Sequence, residues 1–325
     1  MMNGLEAIPV EVAERLERAG LRSLKALAAT PPAFIAEVAE IPLDRAYEIC
    51  RKAWLNVGST FTTALEVLER RRSASLLTTG CRALDELLGG GVEAKAITEV
   101  CGEYGSGKTQ LCHQLCVTVQ LPRSKGGLSA SALYIDTEGT FRPERLVDIA
   151  ERFNLPPQQV LEKVIYARAY SSDHQAFLVD EAWRVMEERK VGVVVVDSLV
   201  GHFRGELCGR ELLAERQQRL NRHVHQLLKV AEVFNVAVVV TNQVLSAPDP
   251  SFPSSFMLQR PAGGHVVAHG CTHRLWLRRL RGCRRVARLF DSPSRPEAEA
   301  FFKICSGGIK DLEPSGHGIA EPQAD

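Results

Sequence analysis

Residues 102–110 read Gly102-Glu103-Tyr104-Gly105-Ser106-Gly107-Lys108-Thr109-Gln110, and their spacing matches the pattern G-x-x-x-x-G-K-[ST]. A short apolar run containing Ile97 and Val100 precedes this stretch, and a helix-like run follows it at 111–117. Glycines let such a loop curl so that its backbone N–H groups point at phosphate oxygens, and the N-terminus of the following helix adds positive potential. Because both flanks fit, we predict a phosphate-binding loop; the alternative is a glycine-rich turn that binds nothing.

Two side chains of this loop are placed to act on a nucleotide. Lys108 is expected to neutralise the outer phosphates and so to take part in catalysis. The hydroxyl of Thr109 is expected to bind Mg²⁺. The loop therefore predicts a nucleotide site that uses Mg²⁺.

The composition is that of an ordinary soluble globular protein. The chain has 325 residues, of which 45% are hydrophobic and 24% charged, and this suits one large α/β domain with a small one. The net charge of +1 means that any nucleic-acid site must be local. Nine cysteines without a CxxC pair indicate reduced thiols and a cytoplasmic location. We expect no membrane association, because no apolar run approaches the roughly 18 residues of a membrane span and the N-terminus does not read as a signal peptide.

Residues 1–55 are predicted to form a small helical N-terminal domain. They show helical spacing, with turn signals at Pro31-Pro32 and Ile41-Pro42. The outline is similar to a helix-hairpin-helix module, in which glycine N–H groups hold DNA phosphates. The hairpin positions here, Glu6-Ala7-Ile8-Pro9 and Glu40-Ile41-Pro42, lack glycine, and proline removes an N–H donor. DNA binding and a packing or interaction role both stay open for this domain, and the sequence favours the second.

Residues 56–80 are predicted to be a linker with an oligomerisation motif. Phe61 stands isolated in the stretch Phe61-Thr62-Thr63-Ala64, ahead of a basic run at Arg70-Arg71-Arg72. One interpretation is that Phe61 tucks into its own domain. The other is that the segment adds a short strand and two side-chain anchors to a neighbouring subunit.

Residues 81–325 are predicted to be an α/β core. Strands are predicted at 131–136, 164–167, 191–196 and 236–241, and helices at 143–153, 174–189 and 212–234. This alternation indicates a mostly parallel central sheet covered by helices. A ligand of such a sheet lies at the carboxyl ends of its strands.

Polar side chains stand at three of these strand ends. Asp197 is placed to hold Mg²⁺ beside the phosphate loop, unless it only caps a helix. Glu138 is placed to orient or deprotonate a water molecule, unless it is a solvated loop carboxylate. Gln243 offers a neutral amide that can contact a γ-phosphate and report its loss. We therefore predict Glu138 and Gln243 as catalytic residues, and Thr109 with Asp197 as metal ligands.

Two irregular stretches, 201–211 and 244–264, open at the nucleotide end of the predicted sheet. Local positive charge near them suits binding of a single DNA strand by its phosphates, although the same charges could form only a solvated basic face. These charges belong to Arg204, Arg210, Arg216 and Arg222. A further stretch, 274–288, alternates apolar and basic residues around Gly282 and is typical of a hairpin.

Longer stretches of the chain resemble the archaeal RadA recombinases of the RecA family. The resemblance covers residues 55–312 and, more loosely, the N-terminal domain. The matching stretches are 61–64, 102–114, 134–145, 166–169, 202–204, 215–218, 241–244, 261–265 and 287–293. It implies a RecA-like P-loop ATPase core preceded by a helix-hairpin-helix-like domain.

The resemblance also implies a function: ATP-dependent DNA strand exchange in homologous recombination and repair, by a filament or ring of this chain on single-stranded DNA, with duplex DNA as the second partner. In that family the counterpart of Glu138 activates water, and that of Gln243 senses the γ-phosphate. ATP-binding positions, some at a subunit junction where a monovalent cation such as K⁺ also binds, match Gly102–Gln110, Arg142, His269, Asp291 and Pro293. DNA-contacting positions match Arg204, Arg210, Arg216, Gly263 and Gly264, and the peg that enters the next subunit matches Phe61 and Ala64.

Some positions depart from the family pattern. The N-terminal hairpins lack their glycines, the stretch 244–264 is rich in proline, and Gly270-Cys271 and His273 stand where alanines and an aromatic residue are common. One alternative is therefore a RadA paralogue that binds ATP and mediates recombination without exchanging strands itself. Another is a nucleotide-switched adaptor with little turnover, against which the intact Glu138 and Gln243 argue. Recombination mediators are further expected partners.

Overall fold

The computed structural model describes residues 8–57, 61–72, 74–246 and 259–313. Parts of several predicted regions lie outside these ranges: Glu6 and Ala7 of the first N-terminal hairpin, 58–60 in the linker, 247–258 in the second irregular stretch, and 314–325 at the end of the core. Within the described ranges, no helix is long and apolar enough to cross a membrane.

The first helices pack around a small apolar core of their own. They are α1 (Val10–Arg18), α2 (Leu24–Ala29), α3 (Pro32–Ala39) and α4 (Leu43–Asn56). Leu16, Leu27 and Ile35 are fully buried in this core. The hydroxyl of Ser23 caps α2 by accepting the N–H of Ala26 at 3.1 Å. The helical spacing predicted for this region is confirmed by these four helices.

The region predicted as a linker contains a helix and a strand. Helix α5 (Ala64–Arg72) has no buried residue, and β1 (Leu76–Leu77) pairs antiparallel with β2 (Val92–Glu93). Thr63 and Glu66 form a capping box, since the N–H of Thr63 donates to the Glu66 carboxylate at 2.9 Å and the N–H of Glu66 donates to the Thr63 hydroxyl at 3.3 Å. This helix was not predicted from the sequence, although the spacing Thr63-x-x-Glu66 indicates the start of one.

The rest of the chain is built on a nine-stranded sheet. In chain order the strands are β3 (Ile97–Gly102), β4 (Ser131–Asp136), β5 (Val164–Arg168), β6 (Val191–Asp197), β7 (Ala237–Asn242), the separate pair β8 (Val244–Ser246) and β9 (Gln259–Pro261), and then β10 (His273–Arg279), β11 (Arg284–Asp291), β12 (Ala298–Cys305) and β13 (Gly308–Asp311). The order across the sheet is β13-β12-β11-β10-β3-β7-β6-β4-β5. Neighbours from β10 to β5 run parallel, and those from β10 to β13 run antiparallel. The predicted α/β fold with a mostly parallel sheet is therefore confirmed.

Helices cover both faces of this sheet. They are α6 (Arg82–Leu88), α7 (Lys108–Thr118), a 3₁₀ turn (Arg123–Lys125), α8 (Pro143–Arg152), α9 (Pro157–Glu162), α10 (Ser172–Glu188), α11 (Gly201–Glu206), α12 (Leu213–Phe234) and α13 (Gly264–Gly270). Successive residues of a strand point to opposite faces. Val193 and Val195 of β6 therefore pack in the core on the α7 side, whereas Val194 and Val196 pack in the core on the α12 side.

The first irregular stretch, predicted at 201–211, begins instead with the helix α11. Phe203 is buried, and this burial stabilises the short helix against the core. Gly201 and Gly205 have low helix propensity, which explains why the sequence pattern did not indicate a helix there.

The stretch predicted as irregular at 244–264 is closed by paired strands. β8 and β9 run antiparallel, and α13 begins at its last residue, Gly264. The hairpin predicted around Gly282 is confirmed as the antiparallel pair β10–β11. Strands β12 and β13 extend that sheet and were not among the predicted elements.

Candidate nucleotide site

The phosphate loop connects β3 to α7, the arrangement expected from its sequence. Gly105 (φ 73°) and Gly107 (φ 109°) adopt left-handed backbone conformations that residues with a side chain rarely adopt. Helix α7 begins at Lys108, whose ammonium group donates to the carbonyl of Gly102 at 2.8 Å and to that of Glu103 at 2.9 Å. Burial lowers the pKa of Lys108, while the neighbouring Asp197 and Glu138 carboxylates counter this effect.

A cavity of about 570 Å³ opens above the loop, at the carboxyl ends of the parallel strands. Of the nine loop residues, all but Ser106 line it, together with Glu138, Asp197 and Gln243. Thr140, Arg285 and Ile304 line it as well, although the sequence pattern did not single them out as site residues. The topology of parallel strands thus brings all the predicted catalytic side chains into one cleft.

Asp197 stands at the end of β6, where it is almost fully buried. The hydroxyl of Tyr134 donates to it at 2.7 Å, and the hydroxyl of Thr241 donates to its other oxygen. Burial raises the pKa of Asp197, whereas these hydroxyls and that of Thr109 lower it. The Thr109 hydroxyl is thus within hydrogen-bonding reach of Asp197, and the two predicted metal ligands lie close together.

The described residues contain no cluster of three His, Cys, Asp or Glu side chains that could hold a metal ion by themselves. This does not conflict with Mg²⁺, which is usually bound by one or two protein ligands together with substrate phosphates. The donor set formed by Thr109 and Asp197 therefore fits Mg²⁺ that arrives with a nucleotide.

Glu138 is held in place by a turn and by two side chains. Asp136, at the end of β4, accepts the N–H of Glu138 at 3.0 Å and the N–H of Gly139 at 2.7 Å. Burial raises the pKa of Asp136, but hydrogen bonds from the backbone N–H groups of the turn outweigh this and lower it. The Glu138 carboxylate accepts the Ser198 hydroxyl at 2.8 Å and the Gln243 amide at 2.9 Å. Sequence reasoning missed Ser198, although it directly follows Asp197 at a strand end.

Gln243 connects this cleft to the first irregular stretch. Its amide nitrogen donates to Glu138, and its amide oxygen accepts from the guanidinium of Arg204 at 3.5 Å. Arg204 lies on α11 and is half-buried. A side chain of the cleft therefore contacts a residue that was predicted to bind DNA.

The other residues predicted to contact DNA surround this point. Arg216, on α12, donates to the carbonyl of Leu207 at 3.0 Å, and Arg210 is exposed between α11 and α12. Gly263 lies between β9 and α13, and Gly264 is the first residue of α13; both have positive φ. These residues lie on segments that follow the carboxyl ends of β6 and β7.

Besides Ser106, four residues predicted to bind ATP do not line the cleft. The Arg142 guanidinium donates to the carbonyls of Gly139 at 3.1 Å and Phe141 at 2.7 Å. His269 lies on α13, Asp291 ends β11, and Pro293 follows it. The resemblance places several of these positions at a junction between subunits, so one chain alone is not expected to bring them to the loop.

Phe61 is fully exposed, at 108% of the accessible surface expected for a free side chain. The interpretation in which Phe61 tucks into its own domain is therefore wrong for the described residues. Ala64 begins α5 and is also exposed.

The sequence is similar to those of a known protein family and of named proteins in it. The profile of the Rad51 family matches residues 70–312. The chain is 45% identical over 309 residues to the DNA repair and recombination protein RadA of Aeropyrum pernix, which covers 95% of this chain and 96% of that protein. It is 44% identical over 310 residues to the protein of the same name from Metallosphaera sedula, which covers 95% of each. The similarity extends well beyond the phosphate loop.

Proposed function

The chain belongs to the Rad51 family, and from that premise we propose that it is an ATP-dependent recombinase that assembles on single-stranded DNA and exchanges strands with a homologous duplex. One observation carries the proposal. The carboxylate of Glu138, the amide of Gln243 and the guanidinium of Arg204 form a continuous chain of contacts from the nucleotide cleft to a basic segment. These connected contacts support coupling between a bound nucleotide and bound DNA.

The cleft residues have the chemistry that ATP hydrolysis requires. The glycine loop and the N-terminus of α7 would hold the phosphates, with Lys108 as their counter-charge. Mg²⁺, held by Thr109 and Asp197, would neutralise charge on the phosphate oxygens. Glu138 would accept the proton of the attacking water, and its contacts with Ser198 and Gln243 fix the carboxylate for that task.

Release of the γ-phosphate would change the partners of Gln243. Its amide nitrogen can serve either Glu138 or a phosphate oxygen, and its amide oxygen faces Arg204. Because α11 carries Arg204, a change at Gln243 would alter the first DNA-binding segment. Arg210, Arg216, Gly263 and Gly264 would complete the DNA contacts in both irregular stretches.

We expect Arg210→Ala to weaken binding to single-stranded DNA at low salt without changing the fold, because Arg210 is exposed. The loss of one phosphate contact should also reduce the slope of log affinity against log salt by about 0.7. Fluorescence anisotropy with a labelled oligonucleotide over a salt series measures both. Arg189→Ala is the matched control, because Arg189 is exposed at the amino end of β6, away from the cleft. Equal affinities for the two variants would move the DNA site elsewhere.

Assembly would place ATP between neighbouring subunits. In this proposal Phe61 and Ala64 form the peg, Arg142 lies beside the adenine, and His269, Asp291 and Pro293 reach the nucleotide of the next subunit, where K⁺ would also bind. The open edge of the sheet at β5 supports strand addition. Exposed aromatic side chains surround this edge: Tyr166, Tyr170 and Phe177.

We expect Phe61→Ala to shorten the assemblies. An aromatic anchor at the centre of an interface contributes about 2 kcal/mol or more, which corresponds to a roughly 30-fold weaker junction. Sedimentation velocity with a non-hydrolysable ATP analogue measures the change. Leu55→Ala, which removes another exposed apolar side chain, from α4, should sediment like the unmodified chain. An unaltered distribution for Phe61→Ala would remove the peg from the proposal.

For the N-terminal helices we propose a packing or interaction role. The guanidinium of Arg184 on α10 donates to the carbonyl of Arg18 at 3.1 Å, and Arg22 lies 3.6 Å from the carboxylate of Glu187. Trp183 packs against the small core of these helices. These contacts support attachment to the ATPase core, whereas phosphate binding would need N–H donors that Pro9 and Pro42 lack.

The second candidate is an ATP-binding mediator that assists strand exchange by another recombinase. Pairing of a labelled single strand with its homologous duplex, with ATP and this chain alone, separates the two candidates. A recombinase forms the joint product and hydrolyses ATP faster with single-stranded DNA, whereas a mediator does neither alone. A cytoplasmic location fits both candidates and the nine free cysteines of the chain.

A further inference from the structure

Arg285, in the β10–β11 hairpin, lines the nucleotide cleft. Arg285 is the second residue of β11 and faces Arg279 of β10 across the antiparallel pair. It retains only 9% of its accessible surface, while its neighbour Arg284 is exposed. Since β11 alternates between its two faces, Arg285 points inward and lines the cavity above the phosphate loop.

Arg285 is a buried cation without a negative partner among the described residues. One of its terminal nitrogens, Nη1, donates to the carbonyls of Gly282 at 3.1 Å and Arg284 at 2.8 Å. Its buried Nε has no hydrogen-bond partner among the described residues. No carboxylate of the described ranges forms an ion pair with it, whereas most other buried charges of the chain are paired or hydrogen-bonded. Burial, and then the neighbouring Arg279, lower the pKa of Arg285, but a guanidinium stays charged at neutral pH.

A buried guanidinium without a counter-charge is unfavourable unless an anion binds to it. An uncompensated buried charge destabilises a fold, and guanidinium groups bind phosphate oxygens with two parallel N–H donors. Strand β12, which pairs with β11 of this hairpin, also packs closely against the phosphate loop. A Cβ atom placed on Gly107 would stand 2.7 Å from the Cδ1 of Ile304, which lines the same cavity as Arg285.

We propose that Arg285 is a nucleotide-binding residue whose guanidinium takes up an oxygen of the phosphate chain of a nucleotide bound in this cleft. This inference rests on the proposed function, because it assigns a further contact to the same site. It also gives the basic β10–β11 hairpin a role in its own chain, because Arg285 of this hairpin lines the nucleotide cleft.

Binding of fluorescent ADP and of a non-hydrolysable ATP analogue to the full chain, without DNA, tests the proposal. Arg285→Met keeps the volume of the side chain and removes its charge, and Arg284→Met makes the same change on the exposed face of the strand. We expect Arg285→Met to bind both nucleotides roughly 10- to 100-fold more weakly, as for loss of a charge-assisted hydrogen bond. Arg284→Met should bind within about twofold of the unmodified chain. Equal affinities for the two variants would overturn the assignment of Arg285.

Thermal unfolding without nucleotide separates the proposed role from a purely structural one, because the two roles predict opposite changes in the Tm. Because Arg285→Met removes an uncompensated buried charge, its Tm should equal or exceed that of the unmodified chain. A lower Tm would indicate that the guanidinium mainly stabilises the hairpin, and this would contradict the proposal. If Arg285→Met does not fold, Arg285→Lys against Arg284→Lys gives the same comparison, with a smaller loss expected because the planar fork is absent. Failure of the unmodified chain to bind either nucleotide would instead refute the proposed function itself.

Discussion

Replacement of Glu138 by Gln is expected to lower kcat for ATP hydrolysis by about 10²- to 10⁴-fold, the usual contribution of a positioned general base. The amide retains the size and most hydrogen bonds of the carboxylate, so the contacts with Ser198 and Gln243 need not break. It cannot accept a proton from water. Affinity for ATP should therefore stay within about threefold, because the role proposed for Glu138 is to act on the water and not on the loop that would hold the phosphates.

Steady-state hydrolysis with saturating single-stranded DNA, together with equilibrium nucleotide binding, measures both quantities. The control is Glu144→Gln, because Glu144 lies in the first turn of α8, is exposed, and does not line the cleft. It should hydrolyse ATP like the unmodified chain. If Glu138→Gln also retains its turnover, another group must activate the water.

Replacement of Glu99 by Leu is expected to destabilise the fold by about 3–5 kcal/mol, the typical effect of breaking a buried ion pair. Glu99 is fully buried in β3, where it accepts the Nε–H of Arg274 at 2.5 Å and the amide of Asn242 at 2.6 Å. Its loss would leave the guanidinium of Arg274 buried in the middle of the sheet without its main counter-charge. Urea unfolding followed by fluorescence measures the change.

The double variant Glu99→Leu/Arg274→Leu should recover most of the lost stability, because two apolar side chains leave no unpaired charge. Glu86→Leu is the exposed counterpart: Glu86 accepts from Arg82 at 2.7 Å on the surface of α6, and its loss should cost no more than about 1 kcal/mol. If the double variant were as unstable as the single one, packing and not charge pairing would account for the effect.

The sequence predicted most of the elements whose signals are local. The phosphate loop, the apolar strand at 191–196 and the long helix after it carry their own periodicity and glycine pattern, and the structure has them within a residue or two. The meeting of Glu138 with Gln243, 105 residues apart, also followed from the rule that parallel strands end at one edge.

Residues that reach the site from the antiparallel part of the sheet could not be predicted in this way. Arg285 and Ile304 line the cleft only because β11 and β12 extend the sheet beyond β10, which pairs with β3, and neither residue has a motif around it. The pairing of Glu99 with Arg274 depends on β10 lying next to β3, although 175 residues separate the two in the chain. Helix α5 was missed for a different reason: its capping box is a local signal that the basic run obscured.

The two ends of the stretch 244–264 are hydrogen-bonded to each other at the point where the stretch leaves the core. β8 pairs with β9, and the N–H of Ala262 donates to the carbonyl of Gln243 at 2.9 Å. A segment whose ends are already neighbours can change length at little thermodynamic cost, since each doubling of a loop adds only about 0.6 kcal/mol of closure entropy. Evolution or a protein engineer could therefore exchange this segment as a cassette, which would change the DNA contacts proposed for it while the nucleotide cleft is inherited intact.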